Sequence, residues 1–182
     1  MKTVLSKSDI LNLIHQKPPL IENYINLEEQ LQPNGFDLTL HDVSMLQTGG
    51  CIGVSNAQRQ VSSLAPLVFD GVGNLDLIPG AYAITFNEIV NLPRNVMALG
   101  APRSSLLRCG VTVQNAVWDA GYCGRSQALL VVFNPYGFRI QRNSRINQLV
   151  FIQLADATEG YHGAYQGENI AVSHSKLKTH DS

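Results

Sequence analysis

Gln127-Ala-Leu-Leu-Val-Val-Phe133 is the stretch that best indicates the fold class of this chain. It is the longest of seven short runs of apolar and β-branched residues, and Gly, Pro or Asn residues interrupt the chain between them. The other six runs are residues 36–40, 82–86, 96–99, 111–113, 138–140 and 148–153. This pattern predicts a mostly-β domain, either a barrel or a jelly roll.

One short helix is predicted before these strands. Ser8-Asp-Ile-Leu-Asn-Leu-Ile-His-Gln16 begins with an N-cap residue and spaces its apolar residues on one face. At the other end, residues 156–182 contain little apolar sequence and are expected to form an arm that ends in a loose polar tail. No linker-like segment interrupts the chain, so we expect residues 1–182 to form a single domain.

Composition argues against several classes of protein. No apolar run has the length of a signal peptide or of a membrane span, so we expect a soluble, cytoplasmic protein without a membrane partner. Cys51, Cys109 and Cys123 are odd in number and widely spaced, which argues against a disulfide framework and a thiolate metal site. They are expected to be packed, reduced thiols. The five histidines also lack ligand spacing, so no structural zinc is expected.

Charge is distributed unevenly along the chain. Residues 89–155 contain seven arginines and one acid, Asp119, whereas the formal net charge of the whole protein is only −1. Lysine is absent from residues 18–175, and the planar guanidinium of arginine suits phosphate oxygens better than an ammonium group does. This choice favours phosphate recognition. Nucleic acid is disfavoured, because the arginines are not interleaved with exposed-looking aromatic residues or gathered into a stripe.

Two segments of the arginine-rich region contain side chains suited to catalysis. Ala101-Pro-Arg-Ser-Ser-Leu-Leu-Arg108, called the cradle below, could hold a triphosphate, or it could be a polar loop with an arginine-capped helical turn. Asp119 is predicted to project from a turn toward the arginines, where it could orient and deprotonate water, or it could be an ordinary turn aspartate. Tyr122 could pack on a sugar or belong to the core.

Five segments in order resemble motifs of the dUTPase and dCTP deaminase superfamily, and most closely its archaeal-type monofunctional dUTP diphosphatases. The resemblance covers roughly residues 5–170. The segments are Gln32-Pro-Asn-Gly-Phe-Asp-Leu38, Pro102-Arg-Ser-Ser-Leu-Leu-Arg108, Val117-Trp-Asp-Ala-Gly-Tyr-Cys-Gly124, Arg145-Ile-Asn-Gln-Leu-Val-Phe151 and Tyr161-His-Gly-Ala-Tyr-Gln-Gly167.

The resemblance implies a distorted jelly-roll homotrimer with active sites between subunits. It also implies hydrolysis of dUTP to dUMP and pyrophosphate, with Mg²⁺ held mainly by substrate phosphates and water. Asp119 would orient the attacking water, and Tyr122 would pack under the deoxyribose. The catalytic residues would be Asp119, Arg108 and Gln148, with Gln148 reaching the substrate from a neighbouring chain. Asp37 would support the metal's water shell.

The resemblance implies roles for further residues around the substrate. Arg103, Ser104 and Ser105 would hold the phosphates together with Arg108. The hairpin of residues 113–117 would read the uracil, largely through its backbone, and Asn115 is a candidate side chain for this role. The lid over the nucleotide would be formed by Tyr161, Tyr165 and Gln166.

Two features distinguish the branches of the superfamily. Deaminases need a glutamate about ten residues after the third-motif aspartate, but residues 125–133 contain no acid and the next acid is Asp156. Deaminases and bifunctional members also have a lysine where Ala164 stands. We therefore expect a dUTP diphosphatase. The alternatives are a dCTP deaminase or bifunctional enzyme, and a nucleotide-binding regulatory protein without turnover.

Overall fold

The computed structural model describes residues 3–170, and antiparallel strands make up most of its regular structure. The strands are β1 (Ile21–Glu22), β2 (Leu31–Gln32), β3 (Gly35–Leu46), β4 (Leu64–Pro66), β5 (Asn74–Leu77), β6 (Gly80–Phe86), β7 (Ile89–Asn91), β8 (Val96–Pro102), β9 (Val111–Gln114), β10 (Cys123–Gly124), β11 (Gln127–Val132), β12 (Phe138–Gln141) and β13 (Arg145–Gln153). The helices are α1 (Lys7–Ile14), α2 (Leu27–Gln30) and α3 (Ser104–Arg108), and a 3-10 turn spans Asn56–Gln58. The predicted mostly-β fold with a short N-terminal helix is confirmed.

The main sheet is a nearly closed barrel built around β3. Its strand order is β8-β13-β3-β6-β11-β9, and β2 and β4 also pair with β3. The strands at the two ends of this order, β8 and β9, contact each other, so the sheet nearly closes on itself. The other strands form two smaller sheets, β1-β7-β10 and β5-β12. Closure leaves the barrel few unpaired edges.

Alternation along β3 separates an apolar face from a polar one. Phe36, Leu38 and Leu40 are completely buried in the core, and burying each such side chain contributes about 1.5–3 kcal/mol to stability. Asp37 and Thr39 point to the opposite face, because successive side chains of a strand alternate. Both are only 1% exposed. A buried polar layer therefore lies behind this strand.

All seven strands predicted from the sequence are present, most of them with longer bounds. Six further strands were not predicted: β1, β2, β4, β5, β7 and β10. Each of these has only two to four residues, which is too few for an alternating pattern to be recognised.

The predicted N-cap of the first helix is wrong by two residues. Ser6 caps α1, because its Oγ accepts a hydrogen bond from the Asp9 backbone N–H while the Asp9 carboxylate accepts one from the Ser6 N–H. Such a reciprocal box needs a polar acceptor three residues after the cap. Ser8 is followed at that distance by Leu11, so it cannot form the box.

Several other expectations can be compared with the fold. None of the helices within residues 3–170 is long and apolar enough to cross a membrane. Cys51 and Cys109 are exposed free thiols, so the prediction of packed cysteines is wrong for these two, while Cys123 is half-buried. Both exposed cysteines lie in surface connections between main-sheet strands, where no core covers them. The predicted polar tail, residues 173–182, lies outside the described residues.

Candidate active site

An open cavity of about 520 Å³ lies beside the third motif. Its walls combine small apolar side chains, aromatic rings and a few polar groups, as small-molecule sites commonly do. We call this cavity the pocket, and its lining residues are Ala83, Ala116, Val117, Trp118, Asp119, Tyr122, Ser126, Gln127, Ala128, Tyr161, Tyr165 and Glu168. Two of these are carboxylates, and none is a lysine or an arginine.

Asp119 reaches the pocket from a turn anchored to β8. Trp118 exchanges two backbone hydrogen bonds with Ala98, of 2.9 and 3.0 Å, and the Tyr122 N–H donates to the Asp119 carbonyl at 3.1 Å. The Asp119 side chain is exposed, and its carboxylate has no hydrogen bond or ion pair within residues 3–170. It is therefore free to contact water or a ligand.

The ring of Tyr122 forms a fixed wall of the pocket and is only 5% exposed. Its Oη lies 2.7 Å from Ser126 Oγ, which also accepts a 2.7 Å hydrogen bond from Trp118 Nε1. The ring meets that of Tyr161 edge to face, with centroids 5.8 Å apart. A ring held in this way suits packing against the apolar face of a sugar.

The arm folds back over the third motif of its own chain. Tyr161 and Tyr165 line the pocket, at the place expected for a lid. Gln166 does not line it. The side-chain amide of Gln166 accepts a 3.0 Å hydrogen bond from the Cys123 N–H and donates a 3.1 Å hydrogen bond to the Gly121 carbonyl. Gln166 instead holds the arm against the loop.

The cradle forms α3 and its N-cap. Arg103 is the N-cap residue, Ser104 and Ser105 begin the helix, and Arg108 lies in its last turn. All four side chains are exposed or half-buried. In the described part of the chain the Arg108 guanidinium has no hydrogen bond or ion pair, so it is available to bind an anion.

Asp37 lies beneath the cradle on the polar face of β3. Arg103 Nε lies 3.1 Å and Arg145 Nη1 3.6 Å from Asp37 Oδ2, and the Asp37 side chain is only 1% exposed. Burial raises the pKa of Asp37, and the two arginines oppose this rise. Gln148 lies opposite Asp37 in the β3–β13 pair. The structure thus brings Asp37, Arg103 and Gln148 together and adds Arg145, which was not predicted as a site residue.

The pocket and the cradle lie toward opposite ends of β8. Trp118 pairs with Ala98, and Arg103 follows Ala98 by five residues, so the rise of an extended strand separates Trp118 from Arg103 by roughly 16 Å. None of the four polar cradle side chains lines the pocket. The prediction that Asp119 faces the arginines of the chain stays a prediction.

Asn115 does not line the pocket, although the residues after it do. Its amide exchanges hydrogen bonds with that of Asn147, at 3.1 and 3.4 Å. Ala116 and Val117 are lining residues. The end of the 113–117 segment is therefore beside the pocket, while the Asn115 side chain is engaged elsewhere.

Comparison with known proteins shows the family of this chain. The family model described as dCTP deaminase-like matches residues 4–154. The chain belongs to this family. The predicted membership in the superfamily is thereby confirmed.

Curated archaeal relatives of this dCTP deaminase-like chain have dUTPase names. The probable deoxyuridine 5'-triphosphate nucleotidohydrolase of Archaeoglobus fulgidus is 49% identical over 92% of this chain and 98% of the relative. The one of Methanosarcina mazei is 47% identical over 91% and 98%. The deoxyuridine 5'-triphosphate nucleotidohydrolase of Methanocaldococcus jannaschii is 36% identical over 77% and 89%.

One solved structure has a similar fold. The 2'-deoxycytidine 5'-triphosphate deaminase from Agrobacterium tumefaciens superposes with a TM-score of 0.64 and 20% identity. The superposition covers 83% of this chain and 48% of that one. At this identity the similarity supports the fold alone.

The lining residues of this dCTP deaminase-like chain that were not singled out from the sequence include Ser126 and Glu168. Glu168 is half-buried, and its Oε1 accepts a 2.8 Å hydrogen bond from Tyr122 Oη. One signal was available, since Glu168 comes two residues after Gln166 in the fifth motif. No periodic pattern indicates, however, that the arm folds back onto its own chain. No comparable signal marks Ser126.

The protein groups that could support a metal ion in this dCTP deaminase-like chain are few. No cluster of three His, Cys, Asp or Glu side chains within residues 3–170 could hold one. Asp119 is free, and Asp37 Oδ1 is buried without a hydrogen-bond partner. These groups fit a metal bound mainly by substrate oxygens and water rather than by a protein cage. The contribution of Asp37 to its water shell stays a prediction.

Proposed function

We propose that this chain is a dUTP diphosphatase that hydrolyses dUTP to dUMP and pyrophosphate. The observation behind the proposal is the free carboxylate of Asp119, which lies beside the Tyr122 ring in a pocket where the adjacent strand β11 contains no acid. The names of the archaeal relatives support the same activity.

Asp119 supplies the base in this proposal. It orients a water molecule and accepts its proton as the water oxygen bonds to the α-phosphorus. The bond from the α-phosphorus to the oxygen bridging to the β-phosphate breaks, and pyrophosphate leaves with that electron pair. Tyr122 packs under the deoxyribose and leaves no room for a ribose 2'-hydroxyl. The 113–117 segment reads the uracil, with Asn115 as a candidate side chain.

A neighbouring copy of the chain supplies the cradle, and the assembly is a homotrimer. The separation of the pocket from Arg103 and the free guanidinium of Arg108 support this arrangement. Arg103, Ser104, Ser105 and Arg108 hold the phosphates. Gln148 adds a phosphate or water contact, while Tyr161, Tyr165 and Gln166 close over the nucleotide. A planar guanidinium binds two phosphate oxygens in fixed geometry, which places the α-phosphorus for attack.

The cofactor in this proposal is Mg²⁺. When bound to the phosphate oxygens it neutralises their charge and stabilises the charge that develops on the leaving group. Asp37 would support its water shell beside Arg103. The position of Asp37 also lets it hold the Arg103 guanidinium in place, which does not depend on the metal.

A dCTP deaminase or a bifunctional enzyme is the second candidate, and the description of the family model favours it. Deamination needs a general acid and base at the amino-bearing carbon of cytosine. The six residues of β11 supply only Gln127 and apolar side chains. A regulatory protein that binds nucleotide without turnover has no need of the free carboxylate of Asp119.

One experiment separates the three candidates. Purified protein and its Asp119→Asn variant are incubated with dUTP, dCTP or dTTP plus Mg²⁺, and pyrophosphate, ammonia and mononucleotides are followed. We expect dUMP and pyrophosphate from dUTP, with a rate at least about 100-fold lower in the variant. Asp156→Asn, which changes an exposed acid of the arm, is the matched control and should hydrolyse dUTP like the wild type.

Each other outcome selects a different function. Ammonia released from dCTP would favour the deaminase or the bifunctional enzyme. Tight binding of dUTP without release of pyrophosphate would favour the regulatory protein. Equal rates in Asp119→Asn and the wild type would remove Asp119 from the reaction.

A further inference from the structure

Glu168 brings a second carboxylate into the pocket from the arm. It lies 49 residues after Asp119 in the sequence, yet both residues line the same cavity. Its side chain is half-buried, and its Oε1 lies 2.8 Å from Tyr122 Oη. No step of the proposed hydrolysis uses Glu168, so its contact with the predicted sugar-binding ring needs a separate explanation.

The hydrogen bonds around Tyr122 form a chain with one direction. An ionised carboxylate only accepts, so Tyr122 donates its single hydroxyl proton to Glu168. The 2.7 Å contact between Ser126 Oγ and Tyr122 Oη must then use the Ser126 proton. Trp118 Nε1 can only donate, and it donates to Ser126 Oγ at 2.7 Å. Each donor therefore points toward Glu168.

This direction determines what Ser126 can offer to a ligand. Because its proton is directed to Tyr122, Ser126 can only accept a hydrogen bond from a molecule in the pocket. A sugar hydroxyl is such a donor. If Glu168 were replaced by an apolar residue, the Tyr122 and Ser126 hydroxyls could both turn, and the pocket would lose this fixed polarity.

The electrostatic environment keeps Tyr122 in its donor form. Burial raises the pKa of the Tyr122 hydroxyl, and the nearby Glu168 carboxylate raises it further. Burial also raises the pKa of Glu168, while the hydrogen bond from Tyr122 opposes that rise. The pair therefore shares one proton that stays on the tyrosine when Glu168 is ionised.

Backbone hydrogen bonds of the arm hold Glu168 where its carboxylate can accept the hydrogen bond from Tyr122. The Glu168 carbonyl accepts a 2.9 Å hydrogen bond from the Arg125 N–H, and the Gly167 N–H donates to the Cys123 carbonyl at 2.7 Å. These bonds fix the main chain on both sides of the Glu168 Cα. The side chain is thus positioned before any ligand arrives, as a residue that orients a binding site should be.

Gly124 provides the space in which Tyr122 and Glu168 meet. A Cβ at position 124 would overlap Tyr122 Oη and come within 3.2 Å of Glu168 Cγ. The hydrogen-bonded pair thus packs directly over a residue without a side chain. Gly124 of the third motif therefore leaves space for a contact whose acceptor, Glu168, directly follows the fifth motif.

We propose that Glu168 is a positioning residue of the nucleotide site: it accepts the hydrogen bond of the Tyr122 hydroxyl, fixes the tyrosine ring and the Ser126 hydroxyl, and joins the arm to the pocket wall. The proposal rests on the proposed function, because the bound sugar is that of dUTP. Glu168 acts on the substrate through Tyr122 and Ser126, not on the reacting phosphorus.

Four variants test the proposal: Glu168→Ala, Glu168→Gln, Tyr122→Phe and the double variant Tyr122→Phe/Glu168→Ala. Glu168→Ala should lower kcat/KM for dUTP about tenfold, mainly through a higher KM, because a hydrogen bond to a charged acceptor is lost. Glu168→Gln should lie between it and the wild type, because an amide oxygen still accepts but more weakly. The double variant should be no worse than the worse single variant.

The control and a spectroscopic readout make the test independent of folding and of catalysis. Glu159→Ala removes an exposed glutamate of the same arm and should match the wild type. Trp118 is the only tryptophan of the chain, so its fluorescence reports the first donor of the hydrogen-bond chain directly. Its emission should shift in Glu168→Ala and Tyr122→Phe and stay unchanged in Glu159→Ala.

The outcomes distinguish failure of this inference from failure of the proposed function. If the wild type hydrolyses dUTP but Glu168→Ala equals Glu159→Ala in KM and in emission, the positioning role is overturned and the function stands. Additive effects in the double variant would also overturn it. If the wild type does not hydrolyse dUTP, the proposed function is overturned. The Trp118 emission still decides whether Glu168 orients the chain of hydrogen bonds.

Discussion

The pocket and the cradle have no lining side chain in common, and their chemistry is opposite. The pocket has aromatic walls, two carboxylates and no lining cation. The cradle contains Arg103 and Arg108, and beneath it Arg103 and Arg145 face one buried carboxylate, Asp37. A nucleoside triphosphate combines an apolar sugar face with anionic phosphates, so it would need both kinds of surface at once.

The difference teaches why a single chain is an incomplete site in the proposed function. A carboxylate that activates water must not be neutralised by an arginine of its own chain, and Asp119 is free of such partners in the described residues. An arginine that binds phosphate must likewise stay available, as Arg108 does. In the proposed trimer, separation within the chain keeps both groups unpaired until a second copy brings them together.

The largest expected effect comes from mixing two inactive chains. Asp119→Asn removes the base from the pocket, and Arg108→Glu places a negative charge in the cradle; each change should lower dUTP hydrolysis at least about 100-fold. Neither side chain has a partner within residues 3–170, so neither change should disturb the fold. Coexpressed in equal amounts, the two variants should recover about a quarter of wild-type activity, since intact halves meet at that frequency in mixed oligomers.

The control for the mixing experiment is each variant combined with itself by the same protocol. Activity no higher in the mixture than in these controls would contradict a site shared between copies. It would mean that the pocket and the cradle of one chain act together without a second copy.

The next largest effect concerns the packing of the pocket wall. Gly124→Ala should lower the free energy of unfolding by about 1–3 kcal/mol and also lower kcat/KM, because the new Cβ overlaps Tyr122 Oη. Gly71→Ala is the matched control, since a Cβ there meets nothing within 4 Å. Chemical denaturation and steady-state kinetics measure both variants. Equal stability of the two would refute the close contact at Gly124.

A smaller effect is expected beneath the cradle. Asp37→Asn should lower kcat/KM for dUTP about tenfold, because the buried carboxylate no longer holds the Arg103 guanidinium. Asp42→Asn is the control: Asp42 pairs with Arg142 at 3.0 Å on the surface, where such a pair contributes about 0–1 kcal/mol. Steady-state kinetics should show no change in Asp42→Asn. The opposite ranking of the two variants would show that Asp37 does not support the cradle.

The smallest effect tests the polar layer next to Asp37. Glu88 is buried and accepts hydrogen bonds from the Thr39 hydroxyl, the Thr39 N–H and Gln30 Nε2, at 2.6, 2.9 and 2.7 Å. Burial raises the pKa of Glu88 above its ordinary value of 4.5. The folded state therefore holds its proton to higher pH than the unfolded state, and this contribution to stability is lost as pH rises through the folded pKa.

Denaturation at a series of pH values measures this loss. The stability of the wild type relative to Glu88→Gln should decline as pH rises above about 4.5. Hydrolysis of dUTP should change little, since Glu88 lines no part of the pocket. A relative stability that rises with pH would mean that the hydrogen bonds outweigh burial.

Much of the fold could be predicted because the longer strands are regular. The composition of residues 127–133 and 148–153 predicts strands, and both segments lie in the barrel. The two-residue strands β1, β2 and β10 have no pattern of their own and form only because a partner lies beside them. The cap of α1 was misplaced because serines stand at both 6 and 8, and only the box with Asp9 selects between them.

The candidate site could likewise be predicted only in part. The ordered motifs identified Asp119, Tyr122 and the cradle, because functional residue types stand close together in the sequence there. The seven arginines were assigned to the surroundings of Asp119 from sequence proximity, and the pairing of Trp118 with Ala98 places Arg103 five residues beyond the partner of Trp118. Glu168 was missed because the arm's return to its own pocket depends on backbone hydrogen bonds to residues 121–125.

The sequence by itself determined the mostly-β class, the family motifs and the residue types available for chemistry, because these depend on local composition and order. Only the tertiary structure decided which of those residues share a cavity. Strand pairing separates Trp118, the neighbour of Asp119, from Arg103 of the cradle, and the folded-back arm brings Glu168 to Tyr122 across 46 residues. Contacts of this kind depend on long-range hydrogen bonding and packing, which no single segment encodes.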